Sequence, residues 1–248
     1  MKRFFDPSKT LLKPSHIVSA FTGRKPDELL LPERAIITFS AQDLRRITGK
    51  RETLSCEAWR PFRSLFLIKG SDTLITRSGF GGPNIASLVE ELSAFGVKEF
   101  VLWGYCGGIK EGIRIGDIII ATKALREDGV SYHYLERNDS FVECNWLEEW
   151  VSSNPAQSFH RGAVWSCDAV YRETVSKIGL YGEHGILAVE MEVASFYAVC
   201  RFKNVSGVAF LVVSDRFSHG LWTGGFRTKP FREGVERLTE FVLAEAVS

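Results

Sequence analysis

The segment Ala188-Val189-Glu190-Met191-Glu192-Val193-Ala194-Ser195 decides how the rest of the chain reads. It closes an apolar run that begins at Gly185 and passes into residues that favour a helix, with two carboxylates flanking a methionine at the change. A strand handing over to a helix is the repeating unit of an α/β sheet, where ligands bind outside the carboxyl ends of the strands. Neighbouring helix residues lie about 100° apart, so Glu190 and Glu192 cannot both face inward from one helix. One is expected to reach a ligand while the other caps or supports the helix start. The plainer alternative is that both sit in a favourable first turn.

The rest of the chain bounds that reading. At 248 residues it is long enough for one large α/β domain, and its 45% hydrophobic and 25% charged content are ordinary for a globular protein. The formal net charge is +1 and the basic residues are scattered, so neither nucleic acid nor an anionic membrane is the expected partner. No apolar run approaches the ~20 residues that span a bilayer. Five cysteines (Cys56, Cys106, Cys144, Cys167, Cys200) lack the paired spacing of a zinc site and are odd in number. With no apolar core behind Lys2-Arg3, the expectation is a cytoplasmic protein with reduced thiols and no bound metal.

Upstream of the opening segment, residues 1–31 read as an irregular arm broken by Pro7, Pro14 and Pro26, in need of another surface to hold it. His16 lies in that arm and by itself reads as a surface residue. Ala35–Phe39 is a buried strand followed by a short helix around Gln42–Ile47, and Leu65–Ile68 with Thr73–Thr76 forms a hairpin. Gly79-Phe80-Gly81-Gly82 precedes a helix that Pro83 opens, with Ile85, Leu88, Val89 and Leu92 on one face. Glycines before a helix N-terminus leave backbone N–H groups free for an anion or a hydroxyl. Glu99–Trp103 is a strand running into a second glycine loop, Gly104–Gly108, and Gly116–Thr122 is another strand. Ser131–Tyr134 falls in a polar loop, Trp146–Val151 in a short helix and Arg161–Ser166 in a strand. Val208–Val213 ends at Ser214-Asp215-Arg216, then come a glycine-rich loop (His219–Gly225) and a closing helix from Pro230. Asp215 follows an apolar run, so its carboxylate is expected to be partly desolvated and able to hold or share a proton; an N-cap or a Ser-Asp turn is the alternative. No repeat or linker interrupts residues 1–248, which read as one domain.

In this order, Gly79–Pro83, Val89-Glu90-Glu91-Leu92, Gly104–Gly108, Gly116-Asp117-Ile118, Val189–Glu192 and Ser214-Asp215 resemble the nucleoside phosphorylase superfamily, in its uridine and purine nucleoside phosphorylase branch. The resemblance implies a three-layer α/β/α fold around a central mixed, partly barrel-like sheet. It implies cleavage of a nucleoside's N-glycosidic bond through an oxocarbenium-like ribosyl transition state, with Asp215 and Glu192 as the catalytic pair. Glu192 matches the residue that holds the ribose hydroxyls and Met191 the one that packs on the sugar; a carboxylate can accept both hydroxyls and stabilise cationic charge. Asp215 matches the acid that attends the departing purine. Cys106, Gly107, Val170, Tyr171 and Glu190 match the base pocket. His16 matches a histidine that reaches into a neighbouring subunit's site, which implies a homodimer or an assembly of dimers, the 1–31 arm packing on the partner. No cofactor is implied beyond inorganic phosphate as a co-substrate.

The sequence departs from that pattern where phosphate binds. The superfamily's Gly-Asp-Pro-x-Arg turn is replaced by Phe39-Ser40-Ala41-Gln42-Asp43, an arginine before the second glycine loop by Leu102, and the loop's hydroxyl residue by Tyr105. Arg60 and Arg63 match loosely the arginine donated by a neighbour, and Thr174 and Ser176 fall where uracil is read. Removing cations from a buried dianion costs several kcal/mol, on the order expected for unpaired buried charge. Three outcomes follow. Water replaces phosphate as acceptor, with Asp43 as the candidate base; or phosphate binds a rearranged site built from Tyr105, Arg60, Arg63 or Arg77; or the chain is a non-catalytic nucleoside-binding or storage protein. Arg227, downstream of Asp215, is a candidate support for that acid.

Overall fold

The computed structural model describes residues 4–136, 138–153, 159–218 and 220–245. Along them run α1 (Pro14–Thr22), β1 (Arg34–Thr38), α2 (Ala41–Gly49), β2 (Thr53–Ser55), β3 (Leu65–Ile68), β4 (Thr73–Arg77) and α3 (Gly82–Ser93). Then come β5 (Glu99–Gly108), β6 (Ile118–Glu127), α4 (Ser131–Tyr134), β7 (Phe141–Glu143), α5 (Leu147–Ser153) and β8 (His160–Cys167). The chain ends with α6 (Val175–Glu183), β9 (Ala188–Glu190), α7 (Val193–Lys203), β10 (Ser206–Ser218), β11 (Leu221–Gly224) and α8 (Lys229–Glu245).

One mixed sheet carries all of this. β5, β10, β6, β8 and β9 pair in a closed ring, because β10 bonds both β6 and β5 while β9 bonds both β8 and β5. From the ring, β1, β4, β3 and β2 extend as an open wing. The long strands are nearly continuous apolar runs because helices cover both sheet faces. On one side α3 and α7 bury Ile85, Leu88, Val89, Phe196 and Tyr197 against the sheet. On the other, α2 and α8 bury Ile47, Leu238, Phe241 and Val242 against Val101, Trp103 and Phe210. The three-layer architecture implied by the resemblance is present.

Five local expectations need correction. Residues Gly104–Gly108 form no loop: they finish β5, since β10 pairs with that strand throughout and β9 joins it at Gly107 and Gly108. Hydrogen-bonding partners on both sides hold even glycines extended. The downstream glycine-rich segment is likewise ordered, as Leu221–Gly224 folds back on β10; His219 lies outside the described residues. Asp215 therefore sits within β10, just past a register shift between Val213 and Asp215, and not at a strand end. Ser131–Tyr134 makes a single helical turn. In the arm, Pro14 starts α1 instead of breaking it, and Gly23 in the left-handed region ends it. Val18 and Leu29 bury the arm against its own chain; Met1–Arg3 lie outside the described residues.

Candidate active site

The site assembles where β9 gives way to α7, beside the end of β5. Glu190, the last residue of β9, turns its carboxylate onto the helix start: Oε2 accepts the N–H groups of Glu192 (2.6 Å) and Val193 (2.7 Å). Its other oxygen accepts the Ser166 hydroxyl, and Ser166 Oγ in turn accepts the Ala194 N–H at 2.8 Å. The first free amides of α7 are thus satisfied from β8 and β9, and Glu192 at the N-cap needs no capping bond of its own. Of the two glutamates, Glu190 is the support. Three protein donors engage its carboxylate.

Glu192 is the one whose carboxylate turns away from the helix start, to the glycine segment. It is buried, and Oε1 accepts the Gly81 N–H at 2.6 Å, which ties the glycine segment before α3 to the β9–α7 junction. Gly81 has φ of 87°, a conformation costly for any side chain, and it aims that N–H at the carboxylate. Burial pushes both Glu190 and Glu192 above the usual carboxylate range; Glu190 also feels the charge of Glu192, and Glu192 that of Asp168. Two acids this close, out of water, resist carrying two charges. Met191, between them, is partly exposed.

Asp215 approaches the same strand end from the other side. It pairs with Gly107 across β10–β5, while Val189 pairs with Gly107 across β9–β5. A methyl group on Gly107 would lie 2.9 Å from Asp215 Oδ2 and 3.4 Å from Val189 Cγ1, so the missing side chain makes room for the acid. Asp215 Oδ1 accepts the Ser214 hydroxyl at 2.6 Å, and Oδ2 accepts the Trp222 indole N–H at 2.8 Å. Trp222, on β11, is the neighbour that holds Asp215; Arg227, read from the sequence as its support, is exposed beyond β11. Cys106 is buried against this junction, and burial with the Asp215 and Glu190 charges pushes its thiol well up. Val170 and Tyr171 lie on the surface, 46% and 96% exposed.

On the acceptor side, Asp43 is buried in the first turn of α2. It accepts from Ser40 Oγ, pairs with Arg46 at 2.5 Å, and hydrogen-bonds the Tyr105 phenol. Burial, then the Asp43 charge, raise Tyr105 far above its ordinary value, so it stays a neutral phenol. Arg60 pairs with Glu57 on the surface and Arg63 with Glu91 of α3, so both charges are neutralised locally. Leu102 is fully buried. Arg77, at the end of β4 beside Thr38, is exposed and makes no ion pair among the described residues. His16 is exposed on α1. Among the described residues no group of His, Cys, Asp and Glu is arranged to hold a metal ion, and no helix is long and apolar enough to cross a membrane.

Sequence reasoning missed Ser166 and Trp222. Ser166 ends a strand with nothing to mark it. Trp222 stands in Leu221-Trp222-Thr223, a short β-rich run between glycines that could have been read as a hairpin strand.

Comparison with known proteins places these features among relatives. The sequence profile of the phosphorylase superfamily matches residues 33–245. A guanosine phosphorylase from Halorubrum lacusprofundi is 32% identical over 154 residues, 61% of this chain and 64% of that protein, so the match spans just under two thirds of it. A DeoD-type purine nucleoside phosphorylase from Bacillus cytotoxicus is 28% identical over 183 residues, 71% of this chain and 78% of that protein. The crystal structure of uridine phosphorylase from Vibrio fischeri superposes with a TM-score of 0.74, covering 88% of this chain and 93% of that one at 20% identity, a likeness of fold.

Proposed function

From the premise that this chain belongs to the phosphorylase superfamily, we propose that it cleaves the N-glycosidic bond of a purine nucleoside through an oxocarbenium-like ribosyl transition state. The observation that carries this reading is the Glu192–Gly81 bond, which draws a buried carboxylate and the glycine segment together. In this role Glu192 grips the ribose diol and offsets the growing positive charge, while Met191 packs on the sugar. Asp215, across Gly107, attends the heterocycle. The purine preference is supported by Asp215 and by relatives named for guanosine and purine nucleosides.

Water is the acceptor we favour. Where a phosphate dianion would need cations, this chain has Leu102 and an Asp43 already matched by Arg46. A carboxylate there disfavours a dianion and suits a water molecule. Phosphate is the second reading, supported by the relatives' names and by the unpaired Arg77 next to the glycine segment. Incubation with a nucleoside panel, with and without inorganic phosphate, separates them. Release of free base independent of phosphate is the expected result. Phosphate-dependent release selects the second reading, and tight binding without release would leave a storage protein. The active unit is proposed to be a dimer in which His16 serves a partner's site; Leu11 and Phe21, 97% and 63% exposed on the same arm, would be covered there. A monomeric mass by light scattering would refute that.

A further inference from the structure

Among the described residues β11 (Leu221–Gly224) is an edge strand that pairs only with β10, and all four of its residues are exposed. It adds nothing to the core, yet its indole reaches the candidate site. Side chains alternate along a strand, so Asp215 and Phe217 on β10 share a face with Trp222 and Gly224 on β11. Gly224 stands opposite Asp215 and Trp222 opposite Phe217. Trp222 is therefore the diagonal neighbour of Asp215, a span that an aromatic side chain can bridge. Its ring crosses over Gly224 to do so. A methyl group on Gly224 would lie 2.9 Å from Trp222 Cη2 and 3.3 Å from Cζ2, so the ring would have to move. The backbone of Gly224 is ordinary extended strand, which any residue adopts. The indole, and not the chain's conformation, is what calls for glycine here.

We propose that Trp222 is a positioning residue for the glycosidic cleavage, and that residue 224 is glycine so that the indole can reach Asp215. This rests on the reading of Asp215 as the acid that attends the departing heterocycle. Asp215 is held from three directions. Ser214 donates its hydroxyl to Oδ1, Trp222 donates its Nε1–H to Oδ2 at 2.8 Å, and the missing side chain of Gly107 leaves the space that Oδ2 fills. One donor on each oxygen fixes the plane of the carboxyl group. Each oxygen keeps a second lone pair, so a hydrogen bond or a proton shared with the heterocycle is compatible with both contacts. The indole nitrogen is a donor only, so Trp222 exchanges no proton with Asp215; it sets the direction in which the carboxyl faces. A misdirected acid costs rate more than binding, because its hydrogen bond or proton is needed most as the glycosidic bond breaks.

The test measures kcat and KM on a purine nucleoside for two variants. Trp222→Phe keeps an aromatic ring and drops the N–H; Gly224→Ala keeps both partners and displaces the ring. Each should lower kcat about tenfold, the scale of one hydrogen bond to a charged group, with KM and melting temperature close to wild type. Trp222→Phe made on Asp215→Ala should have no further effect on kcat, because the group it serves is gone. A tryptophan with a merely structural role would lower both backgrounds by the same factor. A kcat close to wild type in either single variant, or equal losses with and without Asp215, overturns the proposal and leaves the nucleoside reading standing. A wild type inert toward the whole nucleoside panel overturns that reading, and the role of Trp222 with it.

Discussion

Gly107 sets the distance between the two halves of the site. Its absent side chain admits Asp215 on one flank and Val189 on the other, and Phe217 would lie 3.2 Å from any methyl placed there. Gly107→Ala should therefore move Asp215 more than it disturbs the fold. We expect kcat/KM to fall about tenfold or more with a small change in melting temperature, since displacements well under 1 Å matter to chemistry. At Glu192 the prediction is sharper. Glu192→Gln keeps an oxygen for the Gly81 N–H but loses the charge that opposes a ribosyl cation. Turnover should fall by about 100-fold or more while free-base affinity stays close to wild type, as titration calorimetry would show. Wild-type turnover would remove Glu192 from the mechanism.

At the scale of elements, the junction of β8, β9 and α7 is a relay. Ser166 on β8 donates to Glu190 on β9, and both accept amides from the first turn of α7. The helix start, and with it Glu192, is positioned by residues outside the helix. Ser166→Ala leaves the buried Ala194 N–H without an acceptor and Glu190 with one donor fewer, at a cost of about 2 kcal/mol. For a chain of this size that is a fall of roughly 4–8 °C in melting temperature. Because Glu192 rides on the same turn, activity should fall beyond what the lost stability explains; calorimetry and a nucleoside assay on one preparation separate the two. The β10–β11 hairpin positions Asp215 in the same manner, through Trp222.

For the whole molecule, β5, β10, β6, β8 and β9 close into a ring, and acids at and near its β9 strand are taken out of water. Glu173, Glu190 and Glu192 all stand above the ordinary value of 4.5 because burial disfavours their charge. The native state therefore binds more protons than the unfolded chain from about pH 4.5 up to about pH 8, and stability must decline as pH rises across that window. The urea midpoint should be lower at pH 8 than at pH 5.5. Glu190→Gln, which carries no charge to desolvate, should flatten that slope; an unchanged slope would show that Glu190 is not held protonated. Covering the sheet on both faces is what makes the site dry enough for these effects.

Periodicity and short motifs were enough to place the strands around Ile36, Val101, Ile119 and Phe210, the apolar face of α3, and the pairing of a carboxylate with a strand-to-helix change at Glu190 and Glu192. These are local properties: alternation, helical spacing and capping act over a few residues and are written in their order. Which glutamate supports the helix and which faces the ligand was not local, because it depends on Ser166, 24 residues away. Nor was the extended state of Gly104–Gly108, which two partner strands impose, or the hold of Trp222 on Asp215. Composition and pattern determined which residues would be buried and in what elements; the tertiary structure decided which polar groups meet there, because hydrogen bonds and desolvation depend on neighbours in space.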